Sequence, residues 1–330
     1  MAVTIADINK LRKMTGAGIM DCKKALVETN NDIDAAIEII RKKGLAIAAK
    51  REDRDASEGR AIAGTCGTFA AVVSLKCETD FVAATDGFKG LTNQILEAAL
   101  AAKAKNIDEL KALPLGDRTV AERIVEETGK TGEKMEIGAY EAIEAAKVVA
   151  YNHFNGKLAT IVGFNKADAS DEACREIAMQ VASMNPVAVT VDEVPESVKQ
   201  QELNAAIDKT KLELVKKAVD NALTKAGLNP NLVDSEDHIA SNINKGWLTE
   251  EEAAKAREIK EKTAAEKAAN LPEPMIQNIA KGRLNKFFKE NCLLKQEFVS
   301  DNTMDIATYL KKQSATLTVT AFKRVNLNKD

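Results

Sequence analysis

Histidine is nearly missing from this chain of 330 residues, which has two, His153 and His238. A catalytic or metal centre built on imidazole therefore has little to draw on. Cysteine is sparse as well. The five, at 22, 66, 77, 174 and 292, are odd in number and never form a Cys-x-x-Cys pair. That usage argues for a reducing compartment and against a structural zinc site. No glycine-rich loop followed by Lys-Ser or Lys-Thr is present, no His-Glu-x-x-His, and no nucleophile elbow, so no constellation asks for covalent or phosphate chemistry. No apolar run is long enough to span a bilayer, and residues 1–7 lack the basic-then-apolar pattern of a signal peptide. An excess of basic charge is missing too: with 47 Lys and Arg against 50 Asp and Glu the formal net charge is -3. We expect a cytoplasmic protein with no cofactor and no direct binding of nucleotide, nucleic acid or membrane.

What the chain does have is helical and strand patterning in blocks. Residues 1–44 read as a three-helix, UBA-like bundle. Ile5, Ile8, Leu11 and Met14 recur at helical spacing. Thr15-Gly16-Ala17-Gly18 breaks that helix, Met20, Ala25 and Leu26 mark a second, and Asp32 caps a third carrying Ile33, Ala36, Ile37 and Ile40, which ends at Lys42-Lys43-Gly44. The Gly16-x-Gly18 pair is no dinucleotide fingerprint, since no strand precedes it and the third glycine is missing. Ile19 and Met20 stand just after the turn. They are either buried or exposed, because a bundle this small cannot bury every apolar residue. Residues 45–58 read as a partly helical, solvated linker that lets the bundle move.

A repeat follows. Its first unit runs from Ile62 to Lys103: a strand, a Cys66-Gly67-Thr68 turn, a strand over 69–75, a polar excursion and a helix with Phe88, Leu91, Ile95 and Leu96. The second runs from Val148 to Val181 with the same order of hairpin, polar break and helix. Each hairpin needs cover for its apolar face and the helix supplies it. We expect two related α+β lobes side by side, lobe one at 59–140 and lobe two at 141–195. Between the hairpins, Ile107–Leu113 and Thr119–Thr128 read as helices and Lys134-Met135-Glu136-Ile137 as a strand.

The excursion in unit one is Lys76-Cys77-Glu78-Thr79-Asp80-Phe81-Val82-Ala83. The apolar strand before it ends in charged and polar residues with an aromatic directly behind. Two readings stand: Phe81 in the core with Asp80 on a turn, or a tip presented to a partner. Cys77 has no neighbouring histidine or arginine in sequence to lower its pKa and reads as a buried strand-end thiol rather than a nucleophile.

From 196 to 270 the composition turns charged, alanine-rich and helical. It reads as an antiparallel, coiled-coil-like arm inserted in the core. Thr249-Glu250-Glu251-Glu252 resembles a capping box. Trp247 is the arm's hydrophobic anchor or a partner contact. Residues 271–330 return to complete lobe two: a helix from Met275 to Glu290, strands over Cys292–Val299 and Thr316–Val325, and a short helix from Met304 to Leu310.

At this point the residues carry a resemblance. Thr15-Gly16-Ala17-Gly18-Ile19-Met20-Asp21-Cys22-Lys23-Lys24-Ala25-Leu26 resembles the N-terminal signature of the bacterial translation elongation factor Ts family. Cys77-Glu78-Thr79-Asp80-Phe81-Val82 resembles its second signature, and Gly282-Arg283-Leu284-Asn285-Lys286-Phe287-Phe288 its re-entry into the core. The resemblance implies a guanine nucleotide exchange factor rather than an enzyme. Its partner would be elongation factor Tu with GDP bound. The bundle, with Ile19 and Met20, would dock on the GTPase domain. The tip, Asp80 and Phe81 flanked by Thr79 and Val82, would push in near the nucleotide and disturb the partner's Mg²⁺ site. The region of His153 and Gly156 would touch the partner's third domain. The arm serves dimerisation in some members, so a homodimer is possible. This arm is longer than in the compact form of the family, and the further C-terminal helical module of other members is not seen after Val325. The alternative is an adaptor that uses the bundle for protein recognition and has no exchange role. Such an adaptor has no use for Asp80-Phe81.

Overall fold

The computed structural model describes residues 3–328. They fall into two compact units, residues 3–189 with 293–328, and residues 190–292. Both are mixed or helical in content, and the chain as a whole is α+β.

The first unit opens with three helices, α1 (Ile5–Thr15), α2 (Ile19–Glu28) and α3 (Ile33–Lys50). Thr4 and Asp7 form a reciprocal capping box on α1, and Asp32 accepts the Ala35 amide at the start of α3. Gly16 closes α1 in the left-handed region at φ 69°, which a side chain would resist. Leu11, Cys22, Ala25, Leu26 and Ala36 form the bundle's core. Ile5 and Met14 do not join it as their spacing predicts; both are exposed, because three short helices enclose too little volume to hold them.

Nor does the third helix end at Gly44. It runs on to Lys50 through the stretch expected to be a linker. The reason is a packing partner invisible in local sequence: α3 lies across a later helix, α7 (Val120–Thr131), with Gly44 facing Gly129. The turn after α3 is tied down as well, since Lys134 Nζ donates to the carbonyls of Glu52 and Arg54 at 2.9 and 3.0 Å. The bundle is therefore seated on lobe one rather than swinging from a tether.

Lobe one contains β1 (Glu58–Cys66), β2 (Phe69–Cys77), α4 (Asp80–Ala83), α5 (Asp86–Ala102), α6 (Ile107–Ala112), a two-residue ladder of β3 (Pro114–Leu115) and β4 (Arg118–Thr119), α7 (Val120–Thr131) and β5 (Met135–Glu144). Its sheet is antiparallel in the order β1-β2-β5. The strand β5 extends to Glu144, past the boundary expected at 140, because it pairs along the whole of β2 from Cys77 to Phe69. Lobe two repeats the plan with β6 (Lys147–Asn152), β7 (Leu158–Phe164) and α8 (Asp171–Met184). Its third strand comes from the far end of the chain.

The two lobes pack sheet against sheet rather than side by side. Alternation along the strands explains this. Ile62, Phe69, Val73 and Leu75 face α5 and α7, whereas Ala61, Ala63, Ala70 and Val72 face Val148, Ala159 and Ile161 of lobe two. The strand β2 is consequently buried on both sides.

The second unit is helical: α9 (Glu196–Lys225), α10 (Glu236–Asn244), α11 (Glu250–Ala269) and α12 (Glu273–Asn291). Thr249 and Glu252 cap α11 reciprocally. Its core is Leu223, Val233, Ile239, Leu248 and two alanines of α11. Trp247 is 63% exposed with the Lys245 ammonium 5.0 Å from its ring centroid, so Leu248, not Trp247, anchors the arm. Residues 271–330 are not one return segment. The helix α12 packs on α9 with an Arg283–Glu213 ion pair, and the chain re-enters the first unit only at Leu293. There it forms a turn and the short strands β8 (Glu297–Phe298) and β9 (Asp301–Asp305), then α13 (Ile306–Gln313) and β10 (Val319–Asn326). The strand β10 completes lobe two in the order β10-β7-β6.

Candidate functional site: the tip and the β6–β7 turn

The strand β2 ends in a buried cysteine and then leaves the sheet. Burial, with the Glu133 carboxylate adding to it, pushes the Cys77 thiol up to about 12. Its Sγ lies 3.1 Å from the Thr79 carbonyl. A protonated, buried thiol of this kind is a packing group and not a nucleophile.

Glu78 and Thr79 then bolt the tip to its surroundings. The Glu78 carboxylate accepts both Arg51 Nη1 contacts at 2.9 and 3.0 Å and the Lys134 amide at 2.7 Å. Burial opposes its ionisation, but the Lys134 amide and the guanidiniums of Arg51 and Arg54 outweigh that and hold the carboxyl below its usual range. Thr79 is the N-cap of α4. Its amide and hydroxyl donate to the two oxygens of Glu133 at 3.0 and 2.7 Å. Charge-assisted bonds of this sort are the strong ones.

On this footing α4 makes a single turn. Asp80 is exposed. Phe81 is 83% exposed, so of the two readings of the sequence the ring is out and not in the core. Val82 and Ala83 face inward and pack on the core of lobe one. The four tip residues thus divide: Thr79 and Val82 hold, Asp80 and Phe81 are presented.

Across from the tip stands the turn between β6 and β7. It is stitched to the edge of β1. Ala63 exchanges bonds with the Asn152 side chain at 2.7 and 2.9 Å, the Ala61 amide donates to the Gly156 carbonyl at 2.8 Å, and Lys157 pairs with Glu58 at 2.7 Å. Gly156 sits at φ 68°, where glycine carries no steric penalty. His153 is half-buried, its Nδ1 3.0 Å from the Tyr151 hydroxyl. Asp80, Ala83 and Ala84 from the tip side and Asn152–Lys157 from the turn side line one cleft of about 440 Å³. The structure thereby brings Asp80, His153 and Gly156 to a common feature.

Ile19 and Met20 lie apart from that cleft, on the first turn of α2. They are 52% and 62% exposed; Ile5, Met14 and Val27 of the same bundle are exposed as well. Sequence reasoning missed Phe154, which is 93% exposed. Its signal was present: an aromatic in the polar run Asn152-His153-Phe154-Asn155-Gly156-Lys157 has no periodic apolar neighbours to bury it with.

The family model described as elongation factor TS matches residues 78–329. The chain is 55% identical over 328 residues to the elongation factor Ts of Parabacteroides distasonis, and equally to that of Bacteroides thetaiotaomicron, in each case over 99% of both chains. It is 45% identical over 331 residues to the elongation factor Ts of Porphyromonas gingivalis, across 100% of both.

Proposed function

The chain belongs to the elongation factor Ts family, and on that footing we propose that it is a guanine nucleotide exchange factor of translation elongation, acting in the cytoplasm on GDP-bound elongation factor Tu. The observation that carries this reading is Phe81: an exposed phenyl ring on a helical turn whose base is fixed by Glu78 and Thr79. A surface ring held on so firm a mount loses little entropy when a partner covers it.

The mechanism follows from linkage. GDP and its Mg²⁺ stabilise one arrangement of the partner's phosphate site, and insertion of Phe81 with Asp80 beside it stabilises another. A factor that binds the nucleotide-free GTPase better than the GDP-bound form weakens GDP by the same ratio. Burying one phenyl ring is worth about 1.5–3 kcal/mol, and about 1.4 kcal/mol is tenfold. Phe81 alone therefore supplies roughly ten- to a hundredfold. The rest comes from docking elsewhere: Ile19 and Met20 of the bundle on the GTPase domain, and the His153–Gly156 turn on the partner's third domain. No bond is made or broken in this chain. The arm, residues 196–270, is a candidate surface for a homodimer.

The test is release of a fluorescent GDP analogue from elongation factor Tu, with Mg²⁺ present, as the protein is titrated in. Acceleration at sub-stoichiometric protein is the expected result. F81A should keep the thermal stability of the parent, since the ring is exposed, and should lose at least tenfold in release rate. Unchanged release with F81A would sink the wedge role. Absence of acceleration by the parent protein would sink the exchange reading itself.

A further inference from the structure

We infer that Glu133 is a positioning residue for exchange: its carboxylate sets the angle at which the tip presents Phe81. The inference rests on the exchange-factor reading and adds to it a residue outside the tip. The grip has two points. The Thr79 amide donates to one oxygen of Glu133 at 3.0 Å and the Thr79 hydroxyl to the other at 2.7 Å. Both bonds fall on the N-cap of α4, a helix of four residues, which is too short to hold an orientation by its own backbone bonds. The same hydroxyl accepts the Val82 amide at 3.4 Å. Glu133 therefore takes the hydroxyl proton and leaves the oxygen lone pairs turned toward the helix, so one carboxylate orders both the cap and the turn behind it.

Glu133 is itself held from two sides. It follows the C-cap of α7, Gly132, which sits at φ 74°. The Gly132 amide donates to the Thr128 carbonyl at 2.9 Å. The Thr131 hydroxyl donates to the Glu127 carbonyl at 2.9 Å and accepts the Glu133 amide at 3.3 Å. On the other side Lys134 gives its amide to Glu78 and its ammonium to the carbonyls of Glu52 and Arg54. The end of α7 that carries Glu133 also carries Gly129, which faces Gly44 of the bundle. The tip is thus aligned to the same helix on which the bundle is seated.

Glu78 and Glu133 do different work. Glu78 fixes the chain before the cap, and Glu133 grips the cap itself. At the far side of the turn Val82 and Ala83 pack on the core. Phe81, being exposed, cannot fix its own direction. With the cap clamped and the inward residues packed, one direction remains for the ring. Without the Glu133 carboxylate the Thr79 amide and hydroxyl lose a charged acceptor, and the turn can rock about Val82 and Ala83. A group that is present but misplaced loses rate.

The experiment is the GDP-release titration with wild type, E133A, E133Q, F81A and the double variant F81A/E133A. E133A should lower the saturating rate at least about threefold. That loss should exceed any rise in the half-saturating concentration, because Ile19, Met20 and the β6–β7 turn are untouched. E133Q keeps the shape and one carbonyl acceptor for Thr79, and should fall between E133A and wild type; it carries the test if E133A does not fold. In the double variant the effect should vanish, with release at the F81A rate, since residues that act as a unit are not additive. A merely structural role would lower the thermal midpoint and leave the saturating rate, measured well below that midpoint, at the wild-type value in both E133A and E133Q. That result overturns the inference while the exchange reading stands. So does a double variant slower than F81A by the full E133A factor, or an F81A protein with unchanged release. A wild-type protein that does not accelerate release overturns both.

Discussion

Replacing Gly129 by alanine tests how the bundle is held on lobe one. Gly129 lies in α7 and faces Gly44 of α3. A Cβ on Gly129 would come within 2.5 Å of the Gly44 Cα, whereas a Cβ on Gly44 would lie 3.5 Å from the Gly129 Cα. The second distance is ordinary contact; the first is about 1 Å too short. Alanine at 129 must therefore drive the two helices apart, and overpacking of this kind costs about 1–3 kcal/mol. Both substitutions also gain helix propensity of about 0.8–1 kcal/mol, a gain that cancels between them. G129A should then leave α3 less stable than G44A by about 1–3 kcal/mol. Hydrogen exchange of the α3 amides reads this directly: opening should be roughly five- to a hundredfold more frequent in G129A than in G44A. Trp247 fluorescence is a poor substitute, because that residue belongs to the other unit. Equal protection in the two variants would refute the asymmetric contact, and with it the idea that the helix crossing seats the bundle.

Two other outcomes follow from the tip. The Glu78 carboxyl is held below its usual range in the folded protein, so its contribution to stability is complete above the unfolded value of about 4.3 and is lost as pH falls through the folded one. Denaturant unfolding at a series of pH values should show wild type more stable than E78Q at pH 7, with the gap closing below about pH 4.3; a gap independent of pH would mean the ion pairs with Arg51 and Arg54 do not carry it. Alkylation of the native protein with iodoacetamide at pH 8, followed by mass spectrometry, should modify exposed Cys66 and spare Cys77 and Cys174, whose thiols burial pushes up to about 12 and about 11. Fast labelling of Cys77 would contradict the closed base of the tip.

The elements most visible in the sequence were those whose cause is local. The β2 strand and the polar break after Cys77 could be read because an apolar run ends abruptly in Glu78-Thr79-Asp80. The α11 start could be read because Thr249 and Glu252 are three residues apart and cap the helix reciprocally. What could not be read was set from a distance. Glu133 receives Thr79 across 54 residues of sequence, Arg51 reaches Glu78 across 27, and neither partner advertises the other. The passage of α3 through Gly44 follows from the same blindness: a glycine looks like a stop until a facing helix, α7, packs across it. For the site, residue type was enough to single out Asp80 and Phe81, but the direction of the ring was decided by Val82 and Ala83, which take the inward side of the turn.

The layer between the two sheets is built largely of methyl groups, from Ala61, Ala63, Ala70 and Ala159 among others. It works like a gauge block. The two walls of the cleft, α4 on one half of the repeat and the β6–β7 turn on the other, are spaced by the thickness of that layer together with the bonds that tie the turn to β1. Any larger side chain there would act as a shim, widening the separation of Phe81 and Phe154 by a fraction of an ångström without touching either. Dimensional tolerance at the outer surface is thus set in the interior, at positions whose side chains never meet a partner.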